Sequence, residues 1–362
     1  MDTLYKKIIL LIGSILLYLP AQAQEKVSKE LSKVFELTNN GDIHIENKYG
    51  NISVFGWEKE EVSLRITIRV THKKRDNAQD LLNRIKPILH HSENFLSVSY
   101  EIEEKGSSFF SQLFEKANPF DFDRSNIQID FTLKVPSKTE MEISNKFGDV
   151  IIEDWHGTLD AQVEHGNIWI NENLKNATVS LEFGKLHAKD ISFGRLELKN
   201  GELNMNDAKN LRLYSSGSTV ELGTIGVLDI DSNKDELMLK EVGNLFGVVK
   251  FGRVEVHRLQ KELDIDLKIS DFVVDKVGGT DVDISITQES SDITLNITDF
   301  SHQFRAVLEE GLVRLPKTYR EVDSKILDKG KKLREIYATY GDHIRGTILI
   351  EGKKGVVLLK EL

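Results

Sequence analysis

A tandem repeat of about eighteen residues constrains this chain more than any other feature of its sequence. It starts at Asn145 with NKFGDVIIEDWHGTLDAQ, continues with VEHGNIWINENLKNATVS, and runs on to about residue 299. A unit this short cannot bury its own apolar face, so it must stack on its neighbours. The glycines that anchor successive copies recur at a nearly constant interval, close to one repeat: Gly148, Gly166, Gly184, Gly201 and Gly217.

Each copy has the same order of turns and apolar residues. A Gly-Asp or Gly-Asn corner precedes a run such as Val150 and Ile152, and a polar turn leads to a second run such as Val179 and Leu181. Alternation with period two between Gly, Asn and Asp is typical of strands. We therefore predict a mainly β chain, a single-stranded β-solenoid in which each repeat forms one coil. Glycine is expected at the corners because φ is positive there or because two backbones approach closely.

An aromatic residue precedes the glycine at several of these corners. Rings that recur at one kind of corner are expected to stack from coil to coil as a packing device. The pairs are Tyr49-Gly50, Phe55-Gly56, Phe147-Gly148, Phe183-Gly184, Phe193-Gly194, Phe246-Gly247 and Phe251-Gly252.

The segment before the repeats contains an early copy and an insertion. Residues 47–57 resemble residues 145–155, and the insertion between them alternates as strands over 62–71, 95–102 and 127–135. Asp76 is expected to cap a helix whose apolar face includes Ala78 and Leu82, and Pro87 to end or kink it. We predict that 24–144 is a first coil with an α/β excursion that caps one end. The solenoid repeats follow over 145–299, within one continuous domain.

The remaining residues, 300–362, are expected to form a cap at the other end, because open solenoid ends expose strand edges. A hairpin is predicted over 306–315 and a second from strands over 347–351 and 356–359. Between them, residues 321–340 place apolar side chains at helical spacing, and Gly341 is a suitable stop. We therefore predict a C-terminal helix-plus-hairpin cap.

The first residues of the chain are typical of a secretory signal peptide. Lys6 and Lys7 precede an apolar stretch over 8–19, and Ala21 and Ala23 frame a cleavage site, so residues 1–23 are expected to be removed. No second apolar run is long enough to span a membrane. The mature chain is therefore predicted to be exported to the periplasm, the cell surface or the medium, without a transmembrane segment.

Composition narrows the possible partners. The net charge is −10 and there is no cysteine, so we expect neither nucleic-acid binding nor disulfides, and stability must come from the stacked core. No Gly-x-Ser-x-Gly motif, phosphate-binding loop or cysteine nucleophile is present. We predict that the protein is not an enzyme and uses no cofactor.

The blocks NNGDIHIENKYGNISVFGW and LKVPSKTEMEISNKFGDVIIEDWHGTLDAQ resemble the family of bacterial secreted proteins known as putative adhesins. That family is related to the auto-transporter adhesin head, or GIN, domains. The resemblance covers about residues 35–298. It implies a right-handed β-helical surface or periplasmic protein with an adhesive role. It implies no catalytic residues.

The strongest candidate binding segment lies between residues 105 and 125. Five phenylalanines occur there without sustained helical or strand periodicity: Phe109, Phe110, Phe114, Phe120 and Phe122. Such a patch on a loop can bind a partner, or it can fold back and plug the end of the solenoid. Both interpretations stay open.

A second candidate is an acidic column at equivalent positions after successive corner glycines: Asp154, Glu172, Asp190 and Asp207. Stacked carboxylates can gather Ca²⁺, or they can be spaced like the pair of a retaining glycosidase. They can equally be solvated turn residues. Calcium is a weak hypothesis, and no metal site is predicted.

Histidines and tryptophans complete the search. His156, His165 and His187 lack the spacing of a metal site and are expected at the surface. Trp57 and Trp155 occupy equivalent repeat positions and are expected to be structural, although either of them or Trp169 can stack on a glycan. The sequence favours a non-enzymatic adhesin-like protein that binds a glycan or an envelope protein. A β-helix polysaccharide lyase or hydrolase, and a structural or regulatory envelope protein without a ligand, are the alternatives.

Overall fold

The computed structural model describes residues 25–103, 126–279 and 281–361. This part of the chain is mainly β, with one helix, α1 (Arg75–Arg84), and 26 strands in one hydrogen-bonded network. No helix within these ranges is long and apolar enough to cross a membrane. The signal peptide at 1–23 lies outside the described residues and stays a prediction.

The described residues of the N-terminal part contain nine strands in addition to α1. They are β1 (Glu25–Glu36), β2 (Asp42–Tyr49), β3 (Ile52–Trp57), β4 (Glu61–His72), β5 (Ile85–Ser92), β6 (Phe95–Ile102), β7 (Ile127–Pro136), β8 (Glu140–Phe147) and β9 (Val150–Glu153). The helix begins at Arg75 without a side-chain cap, so Asp76 lies in its first turn instead of capping it. Pro87 lies in β5, beyond the end of the helix.

The middle of the chain forms a parallel ladder. Its strands are β10 (Thr158–Glu164), β11 (Ile168–Ile170), β12 (Leu174–Glu182), β13 (Lys185–Lys199), β14 (Glu202–Ser216), β15 (Thr219–Asn233), β16 (Glu236–Lys250), β17 (Arg253–Lys268), β18 (Asp271–Val274), β19 (Asp283–Glu289) and β20 (Asp292–Asn296). From β13 to β16, each strand pairs in parallel with the next at a constant offset of one repeat, for example Leu186 with Leu203 and Leu203 with Val220. Alternate side chains point inward, so the aliphatic residues of successive strands form one continuous core.

Strands of the C-terminal part are β21 (His302–Glu309), β22 (Leu312–Arg314), β23 (Arg320–Asp328), β24 (Leu333–Tyr340), β25 (Gly346–Lys353) and β26 (Val356–Lys360). The helix predicted over 321–340 is wrong: β23 and β24 form an antiparallel hairpin, and β24 also pairs with β21. The two predicted hairpins are wrong as well. β21 pairs with β25 and β22 pairs with β26, so β21 and β22 do not form a hairpin with each other. On their other edges β25 pairs with β19 and β26 with β20, so these two strands do not form a hairpin either.

Both ends of the ladder contain a pair of strands that is out of sequence order. β2 and β3 lie between β6–β7 on one side and β8–β9 on the other. Likewise β25 and β26 lie between β19–β20 and β21–β22. Strands distant in sequence are therefore hydrogen-bonded neighbours at each end.

The corner glycines are required mainly by close backbone approach. A Cβ on Gly166 would lie 1.9 Å from the carbonyl oxygen of Gly148, and a Cβ on Gly184 would lie 1.8 Å from that of Gly166. Gly148 has φ +147, but in the next two coils the positive φ falls on the preceding residues, His165 and Phe183. A positive φ at Gly166 and Gly184 is therefore not observed, whereas the close approach is.

Rings stack along this corner, as the aromatic pattern predicts, but only over part of the chain. Tyr49, Phe147, His165 and Phe183 have successive centroid separations of 5.9, 5.3 and 4.8 Å and interplanar angles of 9°, 3° and 2°. His165 occupies a place in this stack that the Phe-Gly pattern does not predict. Phe251 stays 47% exposed.

Candidate functional site

One outward-facing row of side chains crosses the middle of the parallel ladder. Its members are register partners on successive strands, and we call them the Trp169 row: Trp169, His187, Asn204, Glu221, Met238 and Glu255. Ile168 and Ile170 on either side of Trp169 are buried, so strand alternation directs the row outward. Neighbouring strands are about 4.8 Å apart, which makes the row about 24 Å long.

The side-chain chemistry changes along the row. The rings of Trp169 and His187 are stacked, with centroids 6.2 Å apart and planes 15° apart. The Nδ2 of Asn204 donates a hydrogen bond of 3.0 Å to Oε2 of Glu221, and Met238 beyond them is 42% exposed. An aromatic pair is therefore followed along the row by an amide–carboxylate pair and then by an apolar side chain.

A shallow groove of about 820 Å³ follows the polar half of the row. Its acidic lining consists of Asp190, Asp207, Glu221, Glu255 and Asp275, and its basic lining of Lys240 and His257. The imidazole of His257 lies 3.4 Å from the carboxylate of Asp275. The excess of carboxylates disfavours an anionic ligand and favours a neutral or cationic one.

The acidic column predicted from sequence is only partly assembled in this groove. Asp190 and Asp207 are direct register partners and both line it. Oδ1 of Asp207 accepts a hydrogen bond of 2.8 Å from the backbone N–H of Thr224. Asp154 lies in a turn with φ 55, and neither it nor Glu172 lines the groove. Over residues 25–103, 126–279 and 281–361, no group of three or more His, Cys, Asp or Glu side chains is placed to hold a metal ion.

The three tryptophans have different environments. Trp155 is fully buried and its Nε1 donates to Oγ1 of Thr139 at 3.0 Å, so it is structural. Trp57 donates from Nε1 to the carbonyl oxygen of Glu61 at 2.7 Å and lies beneath the ammonium of Lys59. Trp169 is the one that faces outward in a row of polar neighbours, so it is the tryptophan best placed to contact a ligand.

His302 is a buried histidine that sequence reasoning missed. Its Nδ1 donates to the carbonyl oxygen of Phe300 and its Nε2 accepts from the hydroxyl of Tyr319, both at 2.6 Å. Burial lowers its pKa from 6.5 to about 4 and raises the pKa of Tyr340, which packs against the ring, to about 12. The predicted surface histidines differ: His156 and His165 are exposed, and His187 is half-buried against Trp169.

The Phe-rich segment with Phe109, Phe110, Phe114, Phe120 and Phe122 lies outside the described residues. Its role as a binding surface or a plug stays a prediction.

The sequence matches no protein-family profile, and no curated protein matches it. Among solved structures, a "putative cell adhesion protein" from Clostridium sporogenes is 11% identical, with 93% of this chain and 100% of that chain covered and a TM-score of 0.19. A "putative adhesin" from Bacteroides fragilis is 14% identical over 92% and 97%, with a TM-score of 0.25. A "putative lipid binding protein" from Parabacteroides distasonis is 11% identical over the same shares, also with a TM-score of 0.25.

Proposed function

We propose that this chain is an exported, non-enzymatic β-solenoid that binds neutral or cationic glycans of a cell surface or envelope along the Trp169 row. The solenoid interpretation is supported by the parallel pairing of successive strands at a constant offset of one repeat. Export is supported by the signal-peptide pattern of residues 1–23. The resemblance to adhesin sequences given above supports an adhesive role.

The observation that carries the proposal is the change in chemistry along the row. The part of the Trp169 ring that His187 leaves exposed packs against the apolar C–H surface of a sugar, while an amide–carboxylate pair at Asn204 and Glu221 exchanges hydrogen bonds with hydroxyls. A glycan lying along the row would contact both. The acidic groove beside them excludes uronic acids and sulfated sugars by like-charge repulsion.

The test is binding of the purified mature chain to immobilised neutral, amino and acidic glycans, with a Trp169→Ala variant. We expect the wild type to bind neutral or amino glycans, and we expect Trp169→Ala to weaken this binding at least tenfold. Phe251→Ala is the matched control, because Phe251 is an exposed ring on the corner rather than on the row. Equal binding by both variants, or preference for acidic glycans, would contradict the proposal.

The hydrolase or lyase alternative rests on Asp190 and Asp207, which neighbour each other in the groove. Incubating the same glycans with the protein and measuring newly formed chain ends distinguishes it from binding. Turnover that disappears in Asp190→Asn or Asp207→Asn would favour the enzyme. Absence of both turnover and binding would favour a structural envelope protein.

A further inference from the structure

The outermost strand of the C-terminal end is unusual because every one of its residues is exposed. This strand, β23, pairs with β24 on one edge, and its other edge has no partner among the described residues. Val322 is 56% and Ile326 51% exposed. An unpaired strand edge that carries apolar side chains is a template for another strand.

The sequence of β23 is complementary to itself when two copies run antiparallel. With Ser324 opposite Ser324 of the second copy, Val322 faces Ile326 and Asp323 faces Lys325, each pair occurring twice. The outer residues Arg320 and Asp328 also face each other, although Arg320 already contacts Asp342 and Asp328 accepts from the N–H of Gly330. The central part of the strand, 323–325, therefore carries the charge match, and Val322 and Ile326 flank it with apolar side chains. Such an arrangement is what a two-fold interface requires, because residue i contacts j and j contacts i.

Charge also selects the register. Shifting the centre of the pairing by one position along the strand places Asp323 opposite its own copy in one direction and Lys325 opposite its own copy in the other. Like charges directly opposite each other destabilise a sheet, whereas opposite charges and apolar pairs stabilise it by about 0.2–1 kcal/mol each. The register centred on Ser324 is the one that avoids both repulsions.

We propose that two copies of this chain associate through β23, so that the hairpins β23–β24 of both copies form one four-stranded antiparallel sheet. The regular part of β23, from Asp323 to Ile326, is the part that pairs without interruption with β24. The irregularities lie on either side of it, one at Glu321 and Val322 and the other at Leu327. The new sheet would join the C-terminal ends of two ladders and leave both Trp169 rows free.

Sedimentation of the full mature chain over a concentration series tests the proposal. We expect a monomer–dimer equilibrium. Lys325→Asp, which places two acidic side chains opposite each other twice, should weaken it about tenfold or more. Adding Asp323→Lys should restore it, because the opposite charges are then exchanged. Both positions are exposed, and circular dichroism and thermal melts verify that the variants fold.

Cross-linking tests the register independently, because the chain has no cysteine of its own. Ser324→Cys lies opposite its counterpart, within the Cα separation of about 4.4–6.8 Å that a disulfide needs. We expect it to form a covalent dimer under mild oxidation. Ile326→Cys is the control, because its counterpart lies about 13 Å further along the paired strand. A chain that stays monomeric at every concentration would overturn the proposal. The proposal would also be overturned if Lys325→Asp left the dimerisation constant unchanged, or if the two cysteine variants cross-linked equally.

Discussion

Acidification should loosen the C-terminal part of the fold through His302. The imidazole is fully buried and neutral, held between the carbonyl oxygen of Phe300 and the hydroxyl of Tyr319. Burial lowers its pKa from 6.5 to about 4, so the unfolded state binds a proton more readily than the folded state. The stabilisation is therefore complete above about pH 6.5 and is lost as the pH falls towards 4.

The size of the effect follows from the two pKa values. A difference of about 2.5 pH units corresponds to about 3 kcal/mol of unfolding free energy, at about 1.36 kcal/mol per unit. His302→Phe keeps a ring beside Phe300 but cannot titrate. We expect the free energy of unfolding of the wild type, minus that of this variant, to fall by about 3 kcal/mol between pH 7 and pH 4. Taking the difference removes the contribution of carboxylates that both proteins share.

Hydrogen exchange of peptides from β21 and β24 is the suitable assay. All three tryptophans lie at or before residue 169, so tryptophan fluorescence does not report on this end. His343→Gln, at an exposed position, is the control and should keep the wild-type pH dependence. Protection factors, which correct for the intrinsic exchange rate at each pH, are the quantity to compare. If they are the same at pH 7 and pH 4 in the wild type, or if His302→Phe retains the full dependence, burial of a neutral imidazole is not what stabilises this end.

Three further predictions concern packing. Gly166→Ala should lower the free energy of unfolding by at least about 2 kcal/mol, because its Cβ would meet the carbonyl oxygen of Gly148. Thermal melts should show no comparable loss of stability for Gly330→Ala, which lies in an exposed turn. Trp155→Ala should lower the free energy of unfolding by about 3–5 kcal/mol because it leaves a buried cavity. A loss under about 1 kcal/mol in chemical denaturation would contradict the burial of Trp155. Truncating two or three phenylalanines of the Phe-rich segment to Ala should cost several kcal/mol if they form a plug. If they bind a partner, the truncation should instead reduce adhesion without changing the melt, and no change in either would rule out both roles.

The repeated part of the fold could be predicted because its pairing is local. A nearly constant spacing between glycines places equivalent residues on neighbouring strands. Gly184 and Gly201 are 17 residues apart, and β12 to β16 pair with that offset. The same spacing was enough to infer that aromatic residues at the corner stack. It also brings Trp169 and His187, which are one repeat apart, into contact; adding the period to Trp169 would have found this pair.

The two ends could not be predicted in this way because their pairing is distant in sequence. Nothing local indicates that Asp283 pairs with Thr347 or Asp42 with Glu140. The helical spacing of Val322, Ile326 and Leu333 was misleading. The first two are exposed on an edge strand, so their spacing reflects no buried face, and pairing with β21 decides the structure of β24.

The position of β25 and β26 between strands that precede them in the chain has a consequence for the order in which the molecule can be completed. A ribosome or a secretion channel delivers residues 283–314 before residues 346–360. Until the later strands arrive, β19–β20 and β21–β22 lack the neighbours that separate them in the finished ladder. The pairing of Asp283 with Thr347 joins positions several repeats apart in sequence, so closure is slow compared with adding one coil to the next. A chain cut short before residue 346 would retain its repeats but expose four strand edges, marking it for proteolysis or aggregation. The fold can therefore close only when the chain still includes these late strands.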